Sequence, residues 1–413
     1  MFRLCGILLF LLMTGCASTI ETRLDSVRDN YMNDTIEETD FKKQNNLDLL
    51  ITADKLFHAN EYKKSDTAYE EFNKRNLDTT SGSITREATQ LLVGSTFNDY
   101  KPYMMDSLFV SYYQLWSALA MGRYDDARVI INQSYARQQD MSIAYQKTLE
   151  ENQKALSKES ELSQKINADN SVWTAYRDIM NPALMYLSGI YFLNNGDFAD
   201  AQTYLSRANG MVPGNSFVAT DLVLSQTGNR PKNTTWVFLE DGFAPKLHQE
   251  SVSLPIMTGS GASIVTIAMS TPVFIENFTN IQGAKKLADV DAMFMTEYKE
   301  YRTNDALRAM SSAVARGALQ ASMYNSHSSA APLMGLASSV FSVATSNAEV
   351  RTWATLPKTI SVLRIQNNKS GLIELRSNGN LVANISLPKK TGNYLVYVRF
   401  GPNGQDIKTI KLK

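Results

Sequence analysis

Apolar residues recur at helical spacing from Leu47 onward. Leu49, Leu50, Ala53, Leu56 and Phe57 form one stripe, Asn60-Glu61-Tyr62 breaks it, and Tyr62, Ser65, Tyr69 and Phe72 line one face of a second helix. The two-helix pattern returns over Ser107–Gln139 around Gly122-Arg123-Tyr124, and again over Pro182–Pro213 around Gly196 and Phe198. In that last copy Ala201 and Ala208 fall seven apart with Leu205 between them, and Pro213 follows. Small residues mark where two helix backbones approach closely and proline marks where the second helix stops, the signature of a tetratricopeptide-type hairpin. Ser65, Ala127 and Ala201 occupy the matching position but stand 62 and 74 residues apart. Neither gap is a multiple of the usual repeat of about 34 residues, so the array is irregular and carries inserted helices.

One insert is Met141–Ile166, where Tyr145, Leu149, Leu156, Leu162 and Ile166 form a narrow stripe interrupted by Asn152 and Glu159. The interruptions favour a helical arm folded onto its own domain over a coiled coil with a partner. A further helix over Ala88–Gly94, capped by Ser83 or Thr85, is expected after a loop at Asp78–Ser83.

Beyond Pro213 the period shortens. Thr235–Leu239, Ser251–Ile256 and Ser263–Met269 have the β-branched and aromatic content of strands. Two helices are expected over Val290–Tyr301 and Asp305–Tyr324, split at Thr303-Asn304. Ala330–Ala344 is strongly apolar but shorter than the roughly 20 residues of a membrane span, which predicts a buried helix. Near the C-terminus, Leu372–Ser377 and Leu381–Leu387 flank Asn378-Gly379, a pair suited to a tight hairpin turn. Asn393–Phe400 alternates, and Gly401–Gly404 turns it into Ile407–Leu412. The expected fold is α+β: an irregular tetratricopeptide-like all-helical domain over 47–218, then a β-rich half over 219–413 with inserted helices. That half should close in an antiparallel meander of four or five strands starting near Ile360.

The N-terminus sets the compartment. Arg3, the apolar run Leu4–Met13 and Thr14-Gly15-Cys16 read as a signal peptide over 1–15 ending in a bacterial lipobox, with Cys16 as the lipidated residue. Ala17, rather than aspartate, points to the outer membrane. Acyl chains supply the membrane affinity. Cys5 leaves with the signal, so the mature chain keeps no free thiol and no thiolate metal site. Residues 16–46 are polar with little periodicity and are expected to act as a tether. Forty-one basic residues balance 41 acidic ones in a chain of 413, so nothing is in excess to neutralise phosphates and a nucleic-acid partner is disfavoured.

Little conventional catalytic chemistry is visible. His58, His248 and His327 are not spaced as metal ligands and are expected at the surface. The glycine-rich stretch Met257–Ser263 lacks the lysine of a phosphate loop and the serine spacing of a nucleophile elbow, so it is expected to connect two strands. Asp125-Asp126 and Glu150-Glu151 lie on helices, where neighbouring carboxylates diverge by about 100°. Glu240-Asp241, at a strand-to-turn junction, is the acidic pair to examine, first as a turn former. No cofactor and no metal site is expected.

Tyr124-Asp-Asp-Ala127-Arg, Asn181-Pro182, Glu240-Asp-Gly-Phe-Ala-Pro-Lys246 and Arg351-Thr-Trp353-Ala-Thr-Leu-Pro357 together resemble an uncharacterised family of bacterial lipoproteins with tetratricopeptide-like N-terminal halves. The resemblance implies architecture and compartment and transfers no catalytic residue. Its members are similar in layout to envelope-assembly lipoproteins. The expectation is an outer-membrane-anchored periplasmic scaffold or adaptor, not an enzyme, that binds an envelope protein or peptide on a concave helical surface. Tyr62, Tyr69, Tyr112, Tyr113, Trp116, Tyr124, Tyr191 and Tyr204 are the candidate anchors. The alternatives are a cell-wall glycan binder or envelope enzyme with convergent Glu240, Asp241 or His248, and an oligomeric subunit of a secretion or appendage complex.

Overall fold

The computed structural model describes residues 15–33, 40–76, 100–157, 167, 176, 179–258, 261–324, 348–389 and 391–412. Within them three helical hairpins form where the apolar pattern placed them. Helices α2 (Asn46–His58) and α3 (Tyr62–Asn76) make the first, α4 (Met104–Ala120) and α5 (Tyr124–Leu156) the second, α6 (Pro182–Asn195) and α7 (Phe198–Met211) the third. Local chemistry fixes their ends. Asn45 Oδ1 accepts from the Asp48 N–H at the start of α2, and Asn181 Oδ1 accepts from the Leu184 N–H at the start of α6. Gly196 ends α6 at φ +82°, a conformation a side chain would strain. The third hairpin is tight because Gly189 faces Leu205: a Cβ there would stand 2.6 Å from the leucine side chain.

The C-terminal half is built on a five-stranded sheet ordered β4-β5-β1-β8-β9, from β1 (Thr234–Asp241), β4 (Lys285–Asp289), β5 (Thr359–Gln366), β8 (Tyr394–Gly401) and β9 (Gly404–Lys411). Hairpin β6 (Leu372–Ser377) and β7 (Asn380–Ser386) turns through Asn378 (φ +51°) and Gly379 (φ +85°) as their sequence requires. A long hairpin, β2 (Lys246–Thr258) and β3 (Gly261–Val273), makes a third sheet, and the glycine-rich stretch is its connection. The α+β class is as expected, with helices first and antiparallel strands at the end. Within the main sheet β1 lies between β5 and β8 and runs parallel to β8. The last strands are therefore two hairpins in different sheets, packed on each other through Ile373, Leu375, Ala383 and Ile385 against Val396, Val398 and Phe400.

The two halves share one core. Trp116 of α4 packs edge-on against Phe238 of β1 and Tyr397 of β8, Tyr186 of α6 meets Phe238, and Phe57 of α2 meets Tyr397. The helical surface expected to receive a partner is thus covered by the chain's own sheet.

Four further expectations change. Residues 16–46 contain α1 (Gly15–Asp29), which is docked rather than free: Leu24, Arg28 and Tyr31 are buried. Ile20, Leu24 and Val27 form a short apolar stripe against the core, too brief to stand out in a polar segment, and Arg28 and Tyr31 add buried polar contacts. Helix α8 (Ser216–Gln226) crosses the expected boundary at 218, started by Asn215, whose Oδ1 accepts from the Phe217 N–H. The helices expected over 290–301 and 305–324 are one helix, α9 (Val290–Tyr324). Its Thr303 hydroxyl donates to the Lys299 carbonyl four residues back, so threonine rides in the helix without ending it. The arm, expected to fold onto its own domain, is the end of α5 and lies on α9 of the C-terminal half, with Tyr145 donating to the Thr296 carbonyl. Asn152, the residue that interrupts the stripe, donates to the Glu300 carbonyl and carboxylate. The expected signal peptide up to Thr14, loop Asp78–Ser83, helix Ala88–Gly94, the arm's Leu162 and Ile166, His327 and Ala330–Ala344 lie outside the described residues.

Candidate functional site

Among the described residues, strand β9 is at the sheet edge with only β8 beside it. Leu412 N–H donates to the Asn393 carbonyl, so that pair exchanges hydrogen bonds with β8 and the next pair, Lys411 and Tyr394, does not. Alternation then turns the backbone N–H and C=O of Ile407, Thr409 and Lys411 away from the sheet. The Lys411 carbonyl accepts from the Tyr124 hydroxyl at 3.2 Å. The Ile407 and Thr409 groups border an open cleft of about 430 Å³, lined by the turn residues Asn60, Tyr62, Gly122 and Tyr124 and by 407–411. Gly122 holds φ +70° at the α4–α5 turn with nothing within 4 Å of where a Cβ would stand, which keeps the cleft wall low.

Of the eight aromatic candidates, the structure brings Tyr62 and Tyr124 together on this cleft, both half-buried. The other six are in the core. Tyr69, Tyr112, Tyr113 and Trp116 are at most 1% exposed, and Tyr191 and Tyr204 are 3% and 5% exposed. Trp116 is covered by the sheet, whereas Tyr191 and Tyr204 are packed between helices, as aromatic residues at helical spacing serve the face that is buried. Cys16 lies in the first turn of α1.

Behind the cleft is a polar junction that joins the two distinctive sequence segments. Ala244 N–H donates to the Leu356 carbonyl and Lys358 N–H to the Asp241 carbonyl, which lays 240–246 against 351–358. Arg28 of α1 spans both, donating to the carbonyls of Ala244 and Ala354 at 2.8 Å each. Arg399 of β8 donates to the Thr355 carbonyl and lies over the rings of Tyr31 and Phe243. Glu240, wholly buried, accepts from the hydroxyls of Tyr397 (2.8 Å) and Tyr113 (3.1 Å), with Arg399 Nε 4.0 Å away. Burial pushes the Glu240 carboxyl above the usual carboxylate range, against the pull of Arg399.

His58 connects junction and cleft. Its side chain is 5% exposed, not at the surface as expected. Nδ1 is 2.8 Å from Asp406, while Nε2 is 2.5 Å from the Tyr31 hydroxyl and 3.3 Å from Asp54. Burial disfavours the imidazolium, but Asp54 and Asp406 outweigh it and the pKa is raised. Lys408, one of the cleft residues, is held by Asp406, Asn60 and the His58 carbonyl. Sequence reasoning missed His58, Arg28, Tyr31 and Arg399. The local signals were an Asp54-x-x-x-His58 pair one helical turn apart and an arginine alternating inward on a strand.

Glu240, Asp241 and His248 do not converge. As strand neighbours the two acids face opposite ways, and Asp241 accepts from the N–H groups of Gly242, Phe278 and Thr279 as a turn former. His248 is exposed and pairs with Glu21 of α1. Among the described residues no group of three or more His, Cys, Asp or Glu side chains is placed to hold a metal ion. No family model, curated protein or solved structure matches the chain.

Proposed function

We propose that the protein is a lipid-anchored periplasmic adaptor of the outer membrane that holds an extended segment of an envelope protein in the cleft along β9. The observation that carries this reading is the outward-facing backbone of Ile407 and Thr409 beside the half-buried rings of Tyr62 and Tyr124. An extended peptide added at such an edge gains main-chain hydrogen bonds, and flanking rings select its side chains. The lipobox at Cys16 supplies the compartment. The similarity in layout between the family this chain resembles and envelope-assembly lipoproteins points the same way. Because the helical face is filled by the sheet, partner contact falls to the turns and the free edge.

A photo-crosslinking residue at Thr409 or Tyr62 in native envelopes tests the reading. Both positions should trap the same protein, and Thr409→Pro should abolish trapping from Tyr62, since proline removes an outward N–H without touching the β8 pairing. Failure of both positions to trap any protein overturns it. The compartment is tested separately: Cys16→Ser should release the chain from membranes, and unchanged fractionation would refute the anchor.

A further inference from the structure

Five buried polar atoms gather where the first helical hairpin meets the sheet. Both carboxylate oxygens of Asp54, Glu240 Oε1, the Tyr69 hydroxyl and Arg399 Nη1 have no hydrogen-bond partner among the described residues. The four residues that carry them are at most 1% exposed.

Short contacts tie these residues together. Asp54 Oδ1 is 3.3 Å from His58 Nε2, which is 2.5 Å from the Tyr31 hydroxyl. That hydroxyl accepts from Arg399 Nε at 3.4 Å, and Arg399 Nε is 4.0 Å from Glu240 Oε2. Tyr69 of α3 stacks on Tyr113 with ring centroids 6.4 Å apart, and the Tyr113 hydroxyl donates to the same Glu240 oxygen. The Tyr69 hydroxyl is pushed well above the ordinary phenol range, first by burial and then by Asp54, with Glu240 adding to both. It therefore lies in the field of the two acids.

Direct bonds within the set are blocked by the bonds already made. Arg399 is pinned, with Nη2 donating to the Thr355 carbonyl and Nε to Tyr31, so Nη1 is not free to turn toward Asp54. Glu240 is held through its other oxygen by Tyr397 and Tyr113. Three of the five atoms are carboxylate oxygens, which accept when ionised and so need donors. Leaving such oxygens bare in the core is costly, whereas a buried water offers two donors and makes about three hydrogen bonds. A metal ion fits less well. With His58 protonated, Asp54, Glu240 and Asp406 are matched by His58, Arg399 and Lys408, so a further cation would sit beside three others. Among the described residues no three His, Cys, Asp or Glu side chains are placed to hold one.

We infer that this is a binding site for a cluster of two or more ordered waters, which bridge Asp54 and Tyr69 of the first helical hairpin to Glu240 and Arg399 of the sheet. At this point the two halves of the chain are joined through solvent rather than through direct side-chain bonds. The waters are as much a part of the core as the rings around them.

A high-resolution crystal structure of the full chain, with one crystal soaked in rubidium chloride, tests this. Water peaks should stand about 2.6–3.2 Å from Asp54 and from Glu240 Oε1, with no anomalous rubidium signal among them. Side chains bonded directly to each other with no density between them, or a rubidium peak, overturns the water cluster. Stability gives an independent sign. In a dry core, loss of an unpartnered hydroxyl relieves a penalty and lowers the unfolding constant; in a hydrated one it breaks a bond. Tyr69→Phe should therefore raise the unfolding equilibrium constant about five-fold in chemical denaturation, and an unchanged or lowered constant overturns the inference.

Discussion

Two buried acids join the sheet to the helices, and they are treated differently. Asp221 of α8 is fully engaged: it accepts from the Tyr186 hydroxyl at 2.6 Å, Trp236 Nε1 at 2.7 Å and Arg364 Nε at 2.8 Å. Glu240 of β1 has Tyr397 and Tyr113 on one oxygen, but its Oε1 has no hydrogen-bond partner among the described residues. Nearby, Arg399 Nη1 and the hydroxyl of Tyr69 also lack one among the described residues, and Asp54 has only the longer 3.3 Å approach of His58 Nε2. Burial pushes both acids above the ordinary carboxylate range. The difference teaches where the molecule is clamped and where it keeps unspent polarity, since a satisfied buried network rigidifies and a partly satisfied one is costly. The clamp lies at the α8 side of the sheet; the open-ended network lies behind the β9 cleft and under α1.

Substitutions should break that contrast in order. Asp221→Ala leaves Arg364 and two buried donors unpaired and should cost about 3–5 kcal/mol, read by chemical denaturation. Glu240→Gln should cost only about 1 kcal/mol, because an amide oxygen still accepts from the tyrosines and a carboxyl already biased toward its neutral form loses little charge. Equal losses for the two would dissolve the distinction.

Acidity sharpens it further. Glu297 of α9 accepts from the N–H groups of Met104 and Met105 at the start of α4, and burial, with Asp106 nearby, pushes its carboxyl up to about 8. Asp106 is pushed by burial up to about 7. Between an unfolded value near 4.5 and these folded values the native state binds more protons than the unfolded chain, so stability falls as pH rises from about 5 to 8. His58 acts in the same direction. Its raised pKa contributes stability fully present below about 6.5 and lost as pH climbs through the folded value. Glu297→Gln should flatten the pH 5–8 slope measured by denaturant titration more than His58→Gln does, and an unchanged slope in both would show other groups to be responsible. The smallest effect belongs to Tyr124→Phe, which removes the bond to the Lys411 carbonyl at the exposed cleft; about 0.5–1 kcal/mol or less is expected in thermal denaturation.

Some of this is legible in single segments. Gly196, Ala201, Leu205 and Ala208 announce the third hairpin because their spacing alone encodes a turn and a close approach. The β6–β7 turn is carried by Asn378-Gly379 for the same reason. His58 looks like a surface residue in the sequence because its partner Asp406 is 348 positions away. Arg28 looks like a solvated tether residue until the carbonyls of Ala244 and Ala354 come into reach. Tyr62 and Tyr124 could not be told from Tyr69 and Tyr113 by periodicity, since all four face inward on their helices and only the sheet edge leaves two of them open.

The sequence by itself determined the helical hairpins and the strand pairs, because caps, turn residues and hydrophobic period act within a few residues of chain. Tertiary structure alone decided that the helical face would be filled by the sheet, that segments 240–246 and 351–357 would meet under Arg28, and that β9 would be left as a free edge. Those outcomes depend on contacts between residues hundreds of positions apart, whose geometry no local pattern carries.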